Sequence, residues 1–245
     1  MKRLTVIACA SLRRELELLA AEAGPAIRFQ HLDMGLHQRS AEALHAALQA
    51  AIDASEDDAV ALAYGLCNRG VIGLRARKVP VVVPRAHDCI GLLLGSSARY
   101  LQELEGAPGT YFQSAGWLDQ APTDSAIRQP DFTFGPNSNV TRERLVERYG
   151  EDNADYLLGK FEDFTQHYER LAYIATPAPE AAFWQAAAQS LADRRQWRFE
   201  RLEGDLGWLR RLLNGDWNSR EFVTLAPGER LALTCDERLI AAEPG

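Results

Sequence analysis

AVALAYGLCNRGVIGLRARKVPVVVPRAHDCIGLLLGS, residues 59–96, decides how the chain is read. It contains two continuous apolar runs of strand length, Ala59–Tyr64 (AVALAY) and Val79–Val83 (VPVVV). Each is followed by a loop that carries a cysteine, Cys67 or Cys89, and then by a segment that can be helical, 71–77 or 89–104. Unbroken apolar strands alternating with helices are what a parallel sheet buried on both faces requires. The flanks repeat the pattern. Leu4–Ala8 (LTVIA) is an apolar run, and SLRRELELLAAEAG follows with Leu12, Leu16 and Leu19 at helical spacing before Gly24. Ile27–Leu32 (IRFQHL) alternates as a strand does, and Leu44, Leu48 and Ile52 then fall four apart on one helical face.

The C-terminal part reads similarly. Helices are expected over 141–149, 151–170 and 181–195, strands over 171–176 (LAYIAT), 198–202 and 222–225, and a turn at Pro227-Gly228 before LALT. Between the two parts, Gly106 to Asn139 holds eight Gly and Pro residues together with Tyr111, Phe112, Trp117, Phe132 and Phe134. That many aromatics suit a segment packed over a site or a partner, not a bare linker. The fold expected is α/β, a parallel sheet flanked by helices and Rossmann-like. Residues 1–105 form the portion carrying the cysteine loops, 106–140 the aromatic excursion, and 141–245 a second α/β portion that can belong to the same domain.

The chain has 245 residues, 47% hydrophobic and 25% charged, enough for a substantial core. Its net charge of −7 opposes nucleic acid as a partner, because gripping phosphates needs a basic surface. Charges return at Arg13 and Arg14, too soon for a signal-peptide core, and no stretch approaches a spanning helix. A cytoplasmic protein with no membrane contact is the expectation. In that compartment four cysteines are poor disulfide candidates, leaving metal binding, catalysis or burial.

Cys9, Cys67 and Cys89 each follow an apolar strand and precede an expected helix: TVIAC-ASL, ALAYGLC-NRG and VVVPRAHDC-IGL. All three then lie at carboxyl ends of strands, where ligands bind in open parallel sheets and helix N-termini favour anions. A thiolate there is both nucleophile and metal ligand. The plain alternative is that each cysteine packs as a small hydrophobe; Cys235 in LALTCDERL has no such strand-to-helix context and is expected to be structural. If the three converge they can hold zinc or an iron–sulfur cluster with one corner open, and the spacing does not choose between these cofactors. His87 can serve as fourth ligand or catalytic acid/base, whereas Asp88 suits a helix cap. Arg69 and Arg85, beside the cysteine loops, and His37, after the second strand, are candidate substrate contacts, with solvated surface roles as the alternative.

IACASL, YGLCNRG, HDCIGLLLGS, GTYFQSAGW and HYERLAYIAT resemble the pattern of the bacterial and archaeal domain-of-unknown-function family 1638 across most of the chain. The matching cysteines are Cys9, Cys67 and Cys89. Asp88, Gly95, Gly109, Thr110, Tyr111, Gly116 and Trp117 match as well. Departures stand at Ala10, where glycine is commoner, and at Asn68-Arg69, where the family usually reads Gly-Asn. Members are often encoded near corrinoid-dependent methyltransferases, so the resemblance implies a role beside methyl transfer and a methyltransferase or corrinoid protein as partner.

Together these readings lead to a thiolate-liganded metal-binding protein that takes a small-molecule ligand. A metal-free enzyme with a nucleophilic cysteine and a non-enzymatic accessory module stand as alternatives.

Overall fold

The computed structural model describes residues 1–38, 40–120, 146–147, 149–163 and 167–245. Strands β1 (Arg3–Cys9), β2 (Ala26–Leu32), β3 (Ala59–Ala63) and β4 (Val81–Pro84) lie in one sheet with β8 (Phe222–Leu225), in the order β2-β1-β3-β4-β8. The first four run parallel and β8 closes the edge antiparallel to β4. Every residue of β3 and β4 is buried, as their unbroken apolar runs require. Alternation sends Leu4, Val6 and Ala8 to one face, with Leu12, Leu16 and Leu19 from the turn Ala10–Leu12 and helix α1 (Arg13–Ala20). Ile7 and Cys9 face the other side, with Leu44, Leu48 and Ile52 of α2 (Ala41–Asp53), whose first turn is capped by Ser40 accepting from Ala43 N at 3.2 Å.

A second, three-stranded parallel sheet has the order β5-β6-β7, from β5 (Thr110–Ser114), β6 (Arg170–Ala175) and β7 (Arg198–Glu203). Phe112, Ala172, Ile174 and Leu202 join the apolar cluster that contains Leu4 and Val6, so one core serves one face of each sheet. The opposite face, with Leu171 and Tyr173, packs on Trp184, Ala188 and Leu191 of the long helix Ala181–Arg195. A two-stranded antiparallel hairpin, Glu229–Leu233 with Ile240–Pro244, completes the sheets. The chain is thus mixed α/β with a parallel-rich sheet flanked by helices. No helix among the described residues is long and apolar enough to cross a membrane.

Several local expectations need correction. Residues 71–77 are turns, not helix. Gly73 has φ +83°, and the segment is held extended by the hairpin through Gly73 N to Leu231 O, Ala76 N to Glu229 O and Leu231 N to Leu74 O. The helix expected over 89–104 is two helices, α3 (Cys89–Leu94) and α4 (Ser97–Gly106). Gly95 ends the first at φ +75° beneath the Asp205 side chain, and Ser96 caps the second. The described start of the aromatic excursion is regular structure: β5 followed directly by α5 (Ala115–Asp119). The rest of it, with Phe132 and Phe134, lies outside the described residues, as does the beginning of the helix expected over 141–149. Farther on, the helix expected over 151–170 spans Glu151–Asp163, and helix Gly207–Asn214, unread in the sequence, packs under the first sheet.

Candidate functional site

The register of the first sheet puts the three cysteine loops side by side. Cys9 is the last residue of β1, Cys67 follows β3 and Cys89 opens α3 just after β4, and these strands are neighbours in the sheet. The second and third loops are zipped together: Leu66 N donates to Ala86 O and Cys67 N to His87 O, both at 2.9 Å. Gly65 makes this approach feasible, because a Cβ there would stand 2.5 Å from Asp88 N. Cys67 itself has φ +44° and Arg69 φ +69°, left-handed conformations that non-glycine residues hold only where the surroundings impose them.

Each sulfur has its own neighbours. Ser11 Oγ donates to Cys9 Sγ at 3.1 Å, and the Tyr64 hydroxyl also bonds that sulfur. The backbone amides of Gly65 and Cys89 face the Cys67 sulfur. The Trp117 indole, from α5, hydrogen-bonds the Cys89 sulfur. Asp88 is the N-cap of α3 and accepts from Ile90 N at 2.9 Å and Gly91 N at 3.2 Å, with the Tyr100 hydroxyl as a further donor. The cap expected of Asp88 is therefore present. His87 is half-buried, its ring centroid 6.2 Å from that of Tyr100. A small cavity with about 180 Å³ of empty space opens beside Cys89, walled by Ile90, Leu93, Phe112, Gln113, Ser114, Trp117 and Ile174.

The electrostatics overturn the expected thiolate. Burial pushes the Cys67 thiol up to about 12, and the charges of Asp88 and Cys9 add to it, against the two amides. Cys89 is raised well above its ordinary value by burial, then by Asp88 and the two other sulfurs. Cys9 is raised by burial against its hydrogen bonds from Ser11. The helix field that was expected to lower them is not free to act, since Asp88 takes the first amides of α3 and turns, not a helix, follow Cys67. Asp88 is itself raised by burial, and Tyr64 and Tyr100 are raised by burial and by the nearby acidic groups. At neutral pH the three sulfurs of this edge are thiols.

The metal centre is corrected with it. Among the described residues, no group of three or more His, Cys, Asp or Glu side chains is placed to hold a metal ion. The sulfurs come from three loops and are each turned to a different hydrogen-bonding neighbour, so sharing one sheet edge does not make them a ligand set. All four cysteines are free thiols, and Cys235, expected to be structural, is exposed.

The remaining candidates scatter. The Arg85 guanidinium donates to the carbonyls of Ser219, Arg238 and Ile240 and so ties β4 to the C-terminal hairpin. Arg69 is exposed two residues beyond Cys67. His37 lies in the short 3₁₀ segment Met34–Gln38 after β2, on the same edge. Sequence reasoning passed over Ser11, Asp33, Tyr64 and Tyr100. Ser11 and Tyr64 were legible as immediate neighbours of cysteine loops, whereas Tyr100 arrives from a different helix and had no linear signal.

Against known proteins, one family model matches, described as a protein of unknown function (DUF1638), over residues 31–213. No curated protein and no solved structure matches the chain. The matched stretch takes in Tyr64, Cys67, Asp88, Cys89, Tyr100 and Trp117 and begins after Cys9. It carries no statement about corrinoid proteins or methyltransferases.

Proposed function

For this chain, which belongs to the DUF1638 family, we propose that the function is to bind a small neutral or cationic organic molecule at the cysteine edge of the first sheet. One observation carries the reading. Strand order β2-β1-β3-β4 reverses direction between β1 and β3, and Cys9 and Cys67 stand at the two ends that flank this reversal. In open parallel sheets, read here as Rossmann-like, the crevice at such a point is where ligands lie.

The charge of the ligand follows from the lining. Asp33 and Asp88 are acidic neighbours among the principal influences that disfavour negative charge on the thiols, and no basic group ranks with them there, His87 acting on Asp88 instead. An anion would meet the same repulsion, and a neutral or cationic molecule would not. Residues 1–105 supply the sulfurs, and the following segment supplies a wall through Trp117. His87, in the loop zipped to Cys67, is then the candidate acid/base residue, with Arg69 as an outer contact.

Alkylation tests the reading. In one crevice, blocking Cys67 with the small neutral reagent methyl methanethiosulfonate slows the modification of Cys89 by iodoacetamide several-fold, read by peptide mass spectrometry on the full chain. Independent rates at the three cysteines would remove the shared site.

A further inference from the structure

Two of the three sulfurs at the edge of the first sheet belong to loops that are fixed against each other. Leu66 N donates to Ala86 O and Cys67 N to His87 O, both at 2.9 Å, and Gly70 N closes the same loop on Asn68 Oδ1 at 3.0 Å. These bonds hold Cys67 at its left-handed φ of +44°. Cys89 is fixed as the first residue of α3, whose cap Asp88 binds the next two amides. Little room is left between the loops, since a Cβ on Gly65 would lie 2.6 Å from Asp88 Cα.

The sulfurs follow the backbones. The Cys89 amide donates to the Cys67 sulfur, so the backbone nitrogen of one cysteine already touches the sulfur of the other. Among the charges that act on Cys89, that of Cys67 ranks ahead of that of Cys9. Cys67 and Cys89 are partly exposed, whereas Cys9 is buried and its sulfur takes donors from Ser11 and Tyr64. Cys235 is remote in sequence and exposed, in the connection between the strands Glu229–Leu233 and Ile240–Pro244.

We propose that Cys67 and Cys89 are a dithiol pair that reduces small neutral disulfides and is itself oxidised to an intramolecular disulfide. Cys67 leads, because the Cys89 sulfur is engaged by the Trp117 indole. Having given its proton to solvent, Cys67 bonds one sulfur of the substrate and expels the other half as a thiolate, which takes up a proton. Cys89 then turns from Trp117, loses its proton and attacks the Cys67 sulfur, expelling the second half in the same way. Two protein thiols and one substrate disulfide become one protein disulfide and two substrate thiols, so two electrons and two protons pass to the substrate. Asp88 beside both sulfurs selects against anionic substrates. Attack runs through the thiolate, so the raised Cys67 makes the exchange slow at neutral pH. The same property makes the sulfurs poor leaving groups, and the disulfide once formed resists thiols. The exchange uses the cysteine edge but does not rest on a ligand being held there.

2-Hydroxyethyl disulfide is the probe. The full chain is exposed to it in mild alkali, remaining thiols are blocked with N-ethylmaleimide after acidification, and peptides are read by mass spectrometry without reduction. The expected product is a cross-link of the Cys67 and Cys89 peptides, with Cys9 unmodified and Cys235 carrying only a mixed disulfide. Its rate rises about ten-fold per pH unit below the Cys67 pKa, as attack by one thiolate requires. Cys89→Ser halts the reaction at the mixed disulfide on Cys67, about ten-fold or more above its wild-type level, and Cys9→Ser leaves the cross-link unchanged. Glutathione disulfide, an anion, reacts several-fold more slowly. In the methanethiosulfonate experiment above, the same closure shows as loss of the methylthio group from Cys67, and mass separates it from simple protection of Cys89. The proposal is overturned by a cross-link to Cys9 as the main product, by a mixed disulfide on Cys67 that persists in the wild type, or by cross-linking that appears only in urea. Failure of both Cys67 and Cys89 to react in alkali overturns it as well.

Discussion

The two parallel sheets present the same kind of edge, the carboxyl ends of their strands, and furnish it in opposite ways. At the first, each of the three sulfurs has a hydrogen-bonding neighbour and Asp88 serves as a cap, so what these groups resist is charge. At the second, Gln113 and one oxygen of Glu15 are left without partners among the described residues. Burial is common to both. The difference is whether donors reach the buried groups, as backbone amides and the Ser11, Tyr64 and Trp117 side chains do at the first edge, and it separates an edge that holds protons from one that lacks hydrogen bonds.

The contrast breaks most sharply where the two edges touch. α5 rests on the turn after Cys9, and a Cβ on Gly116 would stand 2.0 Å from the Ser11 carbonyl oxygen. Both sides of that clash are backbone, so Gly116→Ala should cost about 3 kcal/mol or more in urea unfolding. Gly65→Ala meets Asp88 N at 2.5 Å and should cost nearly as much, with faster alkylation of Cys67 as the two loops part. A Gly65→Ala protein as stable as the wild type would mean the loops are not locked together.

Moderately high pH probes Cys67 at the first edge. Cys67 is raised from 9.0 to about 12 on folding, so between these values the unfolded chain has released a proton that the folded chain retains. The contribution is fully present below pH 9 and is lost as pH rises toward 12. It should amount to about 2 kcal/mol between pH 9 and 10.5, at 1.36 kcal/mol per unit. Unfolding midpoints in urea should fall over that range, and Cys67→Ser should flatten the fall. An equal slope in the variant would place the titration elsewhere.

How much of this was open to reading from the residues varies with the kind of interaction. β1, β3, β4 and β6 were legible because apolar runs buried on both faces leave no other reading, and Cys9, Cys67 and Cys89 could be placed on one edge from chain order alone. The sign of their titration was not legible. It depends on Asp88 turning its carboxylate into the amides of Ile90 and Gly91, and on the loop after Cys67 being pinned by a hairpin some 160 residues away instead of winding into a helix. Gly95 falls inside the helix expected over 89–104, but its positive φ makes it a helix terminus. Gln113 carried no signal, because a polar residue in a short strand gives no sign of whether its partners will be present.

The gentlest substitution separates the cap from the charge at Asp88. Asparagine caps a helix about as well as aspartate, so Asp88→Asn should change stability by no more than about 0.5 kcal/mol, whereas Asp88→Ala should lose about 1 kcal/mol with the cap. Removing the carboxylate takes away the acidic neighbour that ranks next to burial in raising both Cys67 and Cys89. Their pKa values should fall, and at pH 8, where the thiolate fraction sets the rate, alkylation of both should quicken several-fold in Asp88→Asn. Cys9, whose raising owes nothing to Asp88 among its principal causes, should keep its rate. If all three thiols quicken together, the variant has opened the crevice instead of discharging it. If none does, burial alone holds the protons and the carboxylate at this edge is only a cap.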